Sequence, residues 1–325
     1  MRLPTAIVSL TTLLIPVLVS AEESVSSRHV PACYWGESTM SRPWLAPEAG
    51  DDWLGEIVRG QNDGGSQGNG AGAAAAVDPS VPLVQMQFQN TFIPSTYGAT
   101  GYSNQFVLQP VLPVRLNSEF FPYHIVRPTL PIVAPTADPD GPLGRQGGLG
   151  DLTLLDAYTH PIKHLKTNVG IGYVGIVPTA THPQLGLGEW QLGPAAYLVS
   201  TAVPKWVLGA IYQQPISLES CAYTVQVQPI ATRLLPNQWY VGWGDALFTV
   251  DNQTGDYRYP INARVGKVIK LGQQPLNIFV QPSYTPEELY EGSSDEWSVK
   301  LSVSFLFPKA KIGPLLDSDC RRCPR

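Results

Sequence analysis

The chain has 325 residues, of which 43 % are hydrophobic and only 14 % are charged, whereas a soluble domain usually carries about 25 % charged residues. Much of its surface therefore does not face water, yet beyond the N-terminus no run approaches the roughly 20 apolar residues of a membrane-crossing helix, which excludes a helical membrane bundle. The net charge of −5 is modest, and its scattered positive charges form no basic stripe with interleaved aromatics, which excludes a nucleic-acid binder.

Residues 1–21 read as a cleavable export signal. Arg2 supplies the positive start, Ala6 to Val19 the apolar stretch, and Val19-Ser20-Ala21 the small residues before Glu22 and Glu23. A retained anchor is the alternative, disfavoured because the stretch is short and followed by acids. Residues 22–80 differ from the rest. Trp35, Trp44 and Trp53 come first, and Asp51 stands where it could cap a short helix running towards Val58. Gly60 to Val77 is rich in Gly and Ala without periodicity and reads as a flexible segment, either a plug or a tether.

From residue 81 the pattern is β. In the first strand Val84, Met86 and Phe88 alternate with Gln85, Gln87 and Gln89. In the last, Glu296 to Phe307, Trp297, Val299, Leu301, Val303 and Phe305 alternate with Ser298, Lys300, Ser302 and Ser304. Side chains of a strand point to opposite faces with period two, so each segment has one apolar and one polar face. Ten more strands are expected at about 104–116, 122–134, 150–159, 166–178, 188–201, 204–216, 222–234, 238–250, 260–271 and 275–285. Strands of that length cross a bilayer when tilted. Their connections alternate between long, Gly/Pro/Asp-rich loops and short turns, as in outer-membrane barrels, although the loop after the seventh strand looks short for that rule. Aromatic residues gather near strand ends, among them Phe92, Tyr102, Phe120, Phe121, Trp239 and Tyr257, where amphipathic rings favour the headgroup level.

A sheet with a lipid-facing side must close, because lipid offers no partner for an unpaired backbone N–H or C=O. The expected fold is therefore all-β: a closed antiparallel transmembrane barrel of about 12 strands over residues 81–308, with residues 309–325 as a periplasmic tail. Two features strain this reading. Pro110, Pro113, Pro128, Pro131, Pro194, Pro215, Pro229 and Pro282 fall inside strands and call for bulges or protruding strand ends. Lys267 falls on the apolar parity of its strand and calls for a bulge or an interfacial position.

Cys33, Cys221, Cys320 and Cys323 lie outside strand centres. After export a disulfide is allowed, and a local Cys320–Cys323 bridge or one to Cys33 is preferred over redox chemistry or half a zinc site.

The stretches Gln87-Phe-Gln-Asn-Thr-Phe92, Tyr102-Ser-Asn-Gln-Phe-Val-Leu-Gln-Pro110, Gly148-Leu-Gly-Asp-Leu152, Val177-Pro-Thr-Ala180, Trp190-Gln-Leu-Gly-Pro194, Gly266-Lys267 and Gln281-Pro-Ser-Tyr284 follow one another in an order that resembles the outer-membrane family named for the meta-pathway of phenol degradation. The resemblance covers roughly residues 81–308. It implies an outer-membrane barrel that handles small, often aromatic or apolar, compounds, and it brings no catalytic motif.

Function in such a barrel belongs to inward side chains. Parity places Gln87, Gln109, Arg115, Arg127, Asp151, Asp245, Arg264, Gln281 and Lys300 in the lumen, with Trp243 and Phe279 as an aromatic share of its lining. A lipid-facing Arg or Lys at the bilayer midplane costs about 2–4 kcal/mol, which turns Arg115, Arg127, Arg264 and Lys300 inward or towards an interface. The reading is a channel or passive transporter for small solutes in the bacterial outer membrane. Its partners would be membrane lipid, the solute, and the barrel assembly machinery through the C-terminal strand. A structural or adhesion barrel with a closed lumen, and a secreted soluble β-sandwich, remain as alternatives, and the inward charges could equally be ion pairs that fill a narrow barrel. None of His29, His124, His160, His164 and His182 sits beside a nucleophile in a recognisable motif. No enzyme activity, metal or cofactor is expected.

Overall fold

The computed structural model describes residues 71–134, 136, 145–286, 295–308 and 312. The expected signal, most of the segment 22–80, Cys33 and the tail with Cys320 and Cys323 lie outside the described residues.

Twelve strands close into one antiparallel barrel. They are β1 Val84–Thr96, β2 Ser103–Arg115, β3 Tyr123–Val133, β4 Leu152–Ile162, β5 Thr167–Val177 and β6 Gln191–Ser200. Then come β7 Trp206–Gln213, β8 Thr224–Leu234, β9, β10, β11 Gln274–Tyr284 and β12 Asp295–Phe307. Strand β9 comes in two pieces, Trp239–Trp243 and Phe248–Asp251, both paired with β8. Strand β10 is Arg264–Leu271, with the short pieces Tyr257–Arg258 and Ile261–Asn262 ahead of it. Each strand pairs with its chain neighbours, and β12 closes the ring on β1, from Val84↔Phe307 to Phe92↔Val299. Among the described strands the ring has no open edge, which is what an apolar surround requires.

The connections sort by end. β2–β3, β4–β5, β6–β7, β8–β9 and β10–β11 turn quickly at the end where β1 begins and β12 finishes, and the others form the long-loop end. The loop after β7 runs from Gln213 to Thr224 and so keeps to the rule after all.

The outer face is apolar. Phe106, Ile171, Leu192, Leu198, Val265, Val280, Val299 and Leu301 are all exposed there. Aromatic rings gather at both rims: Phe92 with Tyr102, Tyr257 with Tyr259 and Tyr284 with Trp297 at the long-loop end, Phe120 with Phe121 and His160 at the other. Of the eight prolines expected inside strands, Pro113 and Pro131 keep the inward parity of their strands and Pro215 is buried past the end of β7; the remaining five fit the outer face, with Pro110, Pro128, Pro194, Pro229 and Pro282 all pointing outward. Pro110 and Pro128 sit where the β2–β3 pairing is interrupted between Leu108↔Leu130 and Leu112↔Val126. The other three keep continuous register, as in Tyr173↔Pro194, Ala210↔Pro229 and Pro282↔Val299, with no bulge. Proline lacks only the donor; its carbonyl still accepts, as Pro194 does from Gln214 N–H at 3.0 Å. Lys267 also points outward, at the short-turn rim, with Nζ 4.9 Å from the Trp239 ring centroid. One acid breaks the belt: Asp156 lies outward, 2.7 Å from His124 Nδ1, and accepts from Tyr173 OH at 3.1 Å.

Residues 71–80 are not the unstructured stretch their composition predicted. Ala71–Val77 forms a helix, α1, whose Ala73, Ala75, Ala76 and Val77 are buried, followed by buried Asp78, Ser80, Val81 and Leu83 leading into β1. This segment packs inside the ring at the short-turn end. Ala73 N–H donates to Gln238 Oε1 in the β8–β9 turn at 2.8 Å, Tyr123 OH donates to Ser80 O at 3.0 Å, and Asn168 Nδ2 to Ser80 Oγ at 2.9 Å. A stripe of small side chains is what lets a helix fit within so narrow a ring. Gly170 serves the same economy of space: a Cβ there would lie 2.1 Å from the Tyr197 ring, which fills the lumen beside it.

Candidate functional site: the barrel lumen

The lumen has two layers. At the short-turn end its wall is apolar. Val199, Val207, Ile211, Ile230, Tyr240 and Val268 form one cluster with the buried residues of α1. Towards the long-loop end the wall turns polar, and a cavity of ≈ 80 Å³ remains between the layers, bounded by Ala76 and Val77 below.

The polar layer is built from strand alternation. Gln85, Gln87 and Gln89 point inward from β1 at every second position. Gln87 Nε2 donates to Gln85 Oε1 at 3.1 Å, and Gln89 Nε2 donates to Gln87 Oε1 and Gln109 Oε1, both at 3.2 Å. Gln109 Nε2 then donates to Thr129 Oγ1 at 2.7 Å, so a chain of amides crosses three strands. Across the lumen Asp245 Oδ2 accepts from Lys300 Nζ at 3.2 Å and Oδ1 from Gln228 Nε2 at 3.1 Å. Arg264 Nη2 donates to Thr232 Oγ1 at 3.0 Å, and its guanidinium lies 5.2 Å from the Phe279 centroid and 5.7 Å from that of Tyr240. Tyr240 OH in turn donates to Asn277 Oδ1 at 2.7 Å. Arg127 lines the same cavity, and its buried Nε has no hydrogen-bond partner.

Of the side chains expected in the lumen, Gln87, Gln109, Arg127, Asp245, Arg264, Gln281 and Lys300 are there, together with Phe279. Three are elsewhere. Trp243 faces outward: it pairs with Ala231, the outward neighbour of the lumen-lining Ile230, and packs edge-on against Phe248. The two share no face because residues 244–247 interrupt β9, and Asp245, at φ 64°, swings back into the lumen after an irregularity that resets the alternation. Asp151 precedes β4 and is spent on loop backbone, accepting from Ala180 N–H at 3.1 Å and Leu187 N–H at 2.8 Å. Arg115 ends β2 and is exposed at the short-turn rim. Sequence reasoning missed the apolar wall residues and Tyr240, because their strands carry apolar residues on both faces and give no contrast to read. Cys221 is exposed in the β7–β8 loop, away from the lumen.

No family model and no curated protein matches the chain, so the likeness to the phenol meta-pathway family rests on the motifs alone. Among solved structures, an outer membrane channel of the COG4313 group from Pseudomonas putida F1 aligns over 69 % of this chain and 94 % of its own, with 17 % identity and a TM-score of 0.48. The KdgM porin aligns over 69 % and 99 %, with 8 % identity and a TM-score of 0.43. The barrel itself is established by the strand pairing described above.

Proposed function

We propose that the chain is an outer-membrane channel for small solutes in which residues 71–83 form a plug seated in the short-turn, periplasmic end of the barrel. The observation that carries this reading is the contrast of surfaces: an outside that suits lipid, and an inside that holds a cavity, a polar layer and a helix from the segment ahead of β1. A barrel serving only as a scaffold has no need of a helix from outside the ring to cover its own apolar wall. The polar layer admits hydrated or charged groups from the long-loop end, and the apolar layer offers aromatic and aliphatic solutes a surface once α1 withdraws. Among the described residues of the lumen, none has the arrangement of a nucleophile and its base.

Single-channel conductance of the mature protein in a planar bilayer, compared with a deletion of residues 22–80, tests the proposal. A several-fold higher conductance after the deletion is expected. Equal conductance in the two forms would mean that the helix closes nothing, and silence in both folded forms would favour a closed structural barrel.

A further inference from the structure

The cations of the polar layer are unequal. Lys300 is paired with Asp245, the one carboxylate lining the cavity among the described residues. Asp245 lies within electrostatic reach of Arg127 and Arg264 as well, but neither forms an ion pair with it or with any other described acid. Three cations thus share one carboxylate, and two guanidinium groups face the cavity with no ion-pair partner of their own among the described residues. Both are withdrawn from water: Arg264 is 8 % exposed, and the Nε atoms of both Arg127 and Arg264 are buried without a partner. A buried charge left unpaired is costly and is normally balanced by an opposite charge. The cavity has room for that balance, at ≈ 80 Å³ against the ~10–15 Å³ of the same measure that one water needs.

The geometry points to a binding site for a small organic carboxylate between Arg127 and Arg264, above the N-terminal helix. The chemistry selects a carboxylate over a simple halide on two grounds. Guanidinium donors form a planar fork that matches two carboxylate oxygens. The same cavity is also lined by Phe279, Ile125, Ile230 and Val77, which fit the hydrocarbon part of the ligand. Arg264 is already held in place by Thr232 and by the rings beneath it, and a Cβ at Gly244 would come within 2.8 Å of its Nη2, so the backbone has been cut back to admit this side chain. Among the described residues nothing comparable holds Arg127, whose buried Nε has no partner, and in the proposed site it is the arm that closes on the ligand. This deepens the channel reading of the same lumen by naming the class of solute that pauses in it.

The test is isothermal titration of the full-length mature protein in detergent with benzoate, and with benzamide as its neutral counterpart. Benzoate is expected to bind and benzamide to bind at least tenfold more weakly. Arg127→Gln and Arg264→Gln, each checked for folding by the heat-dependent gel shift, are expected to weaken benzoate by tenfold or more and to leave benzamide unchanged. Equal binding of the two compounds overturns the inference, as does unchanged benzoate binding in both folded variants. If neither variant folds, the comparison of benzoate with benzamide in the native chain decides. Conductance separates this claim from the channel reading: a conducting barrel indifferent to benzoate loses the site and keeps the channel, whereas benzoate binding in a barrel silent even without residues 22–80 keeps the site and loses the channel.

Discussion

The two layers of the lumen hold themselves together by opposite means. The short-turn layer is small side chains against large ones: Ala73, Ala75, Ala76 and Val77 of α1 lie against Val199, Val207, Ile211 and Val268. The long-loop layer is amides and charges, from the Gln85–Gln109 chain to the Asp245–Lys300 pair. The apolar layer is stabilised by removing area from water, at roughly 25 cal/mol per Å², and can come apart only if something leaves. In the polar layer water can replace a protein partner at small cost, since an intramolecular hydrogen bond contributes only about 0.5–1.5 kcal/mol net. In the proposed channel a solute entering from the long-loop end would meet a layer that yields, and then one that must be opened. The gate of that channel would lie in the apolar half and its selectivity in the polar half.

That division can be broken most directly from the apolar side. Ala73 has no exposed surface. Ala73→Asp would set a carboxylate in the apolar layer with no cation in the helix to meet it, at a cost of about 3–5 kcal/mol if the helix stayed in place. The helix undocks instead, because the barrel strands close without it. Conductance is expected to rise several-fold, to that of the deletion of residues 22–80, with the heat-dependent gel shift preserved. A conductance equal to that of the unaltered chain would mean that α1 is not what closes the short-turn end.

The same division explains what was legible beforehand. In β12 from Trp297 to Phe305, and in β1 from Val84 to Gln89, polar and apolar residues alternate without exception, so facing could be read directly and Gln87 and Lys300 followed; Gln109 followed from the parity of β2. Arg127 and Arg264 followed from the cost of a charge in lipid. Trp243 did not, because parity carries across a strand only if the strand is unbroken, and β9 breaks at the very next residue. Helix α1 was invisible for a different reason. A run of alanines has no contrasting face, so its composition matches a linker, and its burial is decided by a ring of side chains distant in sequence. The apolar wall at Tyr197, Ile211 and Ile230 was hidden likewise, since its strands are apolar towards lipid as well.

A smaller effect should come from Asp78, at the foot of the plug. It is buried beside the Ser80 hydroxyl and N–H, within electrostatic reach of Tyr123 and Tyr197, and burial pushes its carboxyl up to about 6 from an ordinary value near 3.8. Because the docked state holds the proton more tightly, docking is strongest below the ordinary value and weakens as pH rises through about 6. The difference is at most about 3 kcal/mol, at 1.36 kcal/mol per unit. Conductance measured from pH 4.5 to pH 7.5 is expected to rise, and Asp78→Asn to flatten the rise and keep the channel in its low-conductance state. A flat profile in the native chain would place the plug's anchoring in Ser80 and Gln238 alone.

The outer surface supplies the smallest test, because there the two ends differ only in how they meet lipid. Lys267 is the cation on an outward strand position whose cost was expected to be relieved by an interface, and the Trp239 ring sits where such relief is needed. At the short-turn rim the ammonium reaches headgroups and water while its stem covers the apolar face. An exposed cation–π contact contributes about 0.5–1 kcal/mol, so Lys267→Ala should lower the temperature of the gel shift slightly and leave conductance unaltered. Moving the charge tests the position rather than the pair. Val280→Lys places an ammonium on an exposed outward site away from the short-turn rim, where the expected cost rises towards about 2–4 kcal/mol as the site nears the midplane. Equal gel-shift temperatures for Lys267→Ala and Val280→Lys would mean that the belt between the rims is not in lipid at all, and the outside of this barrel would have to be covered by something else.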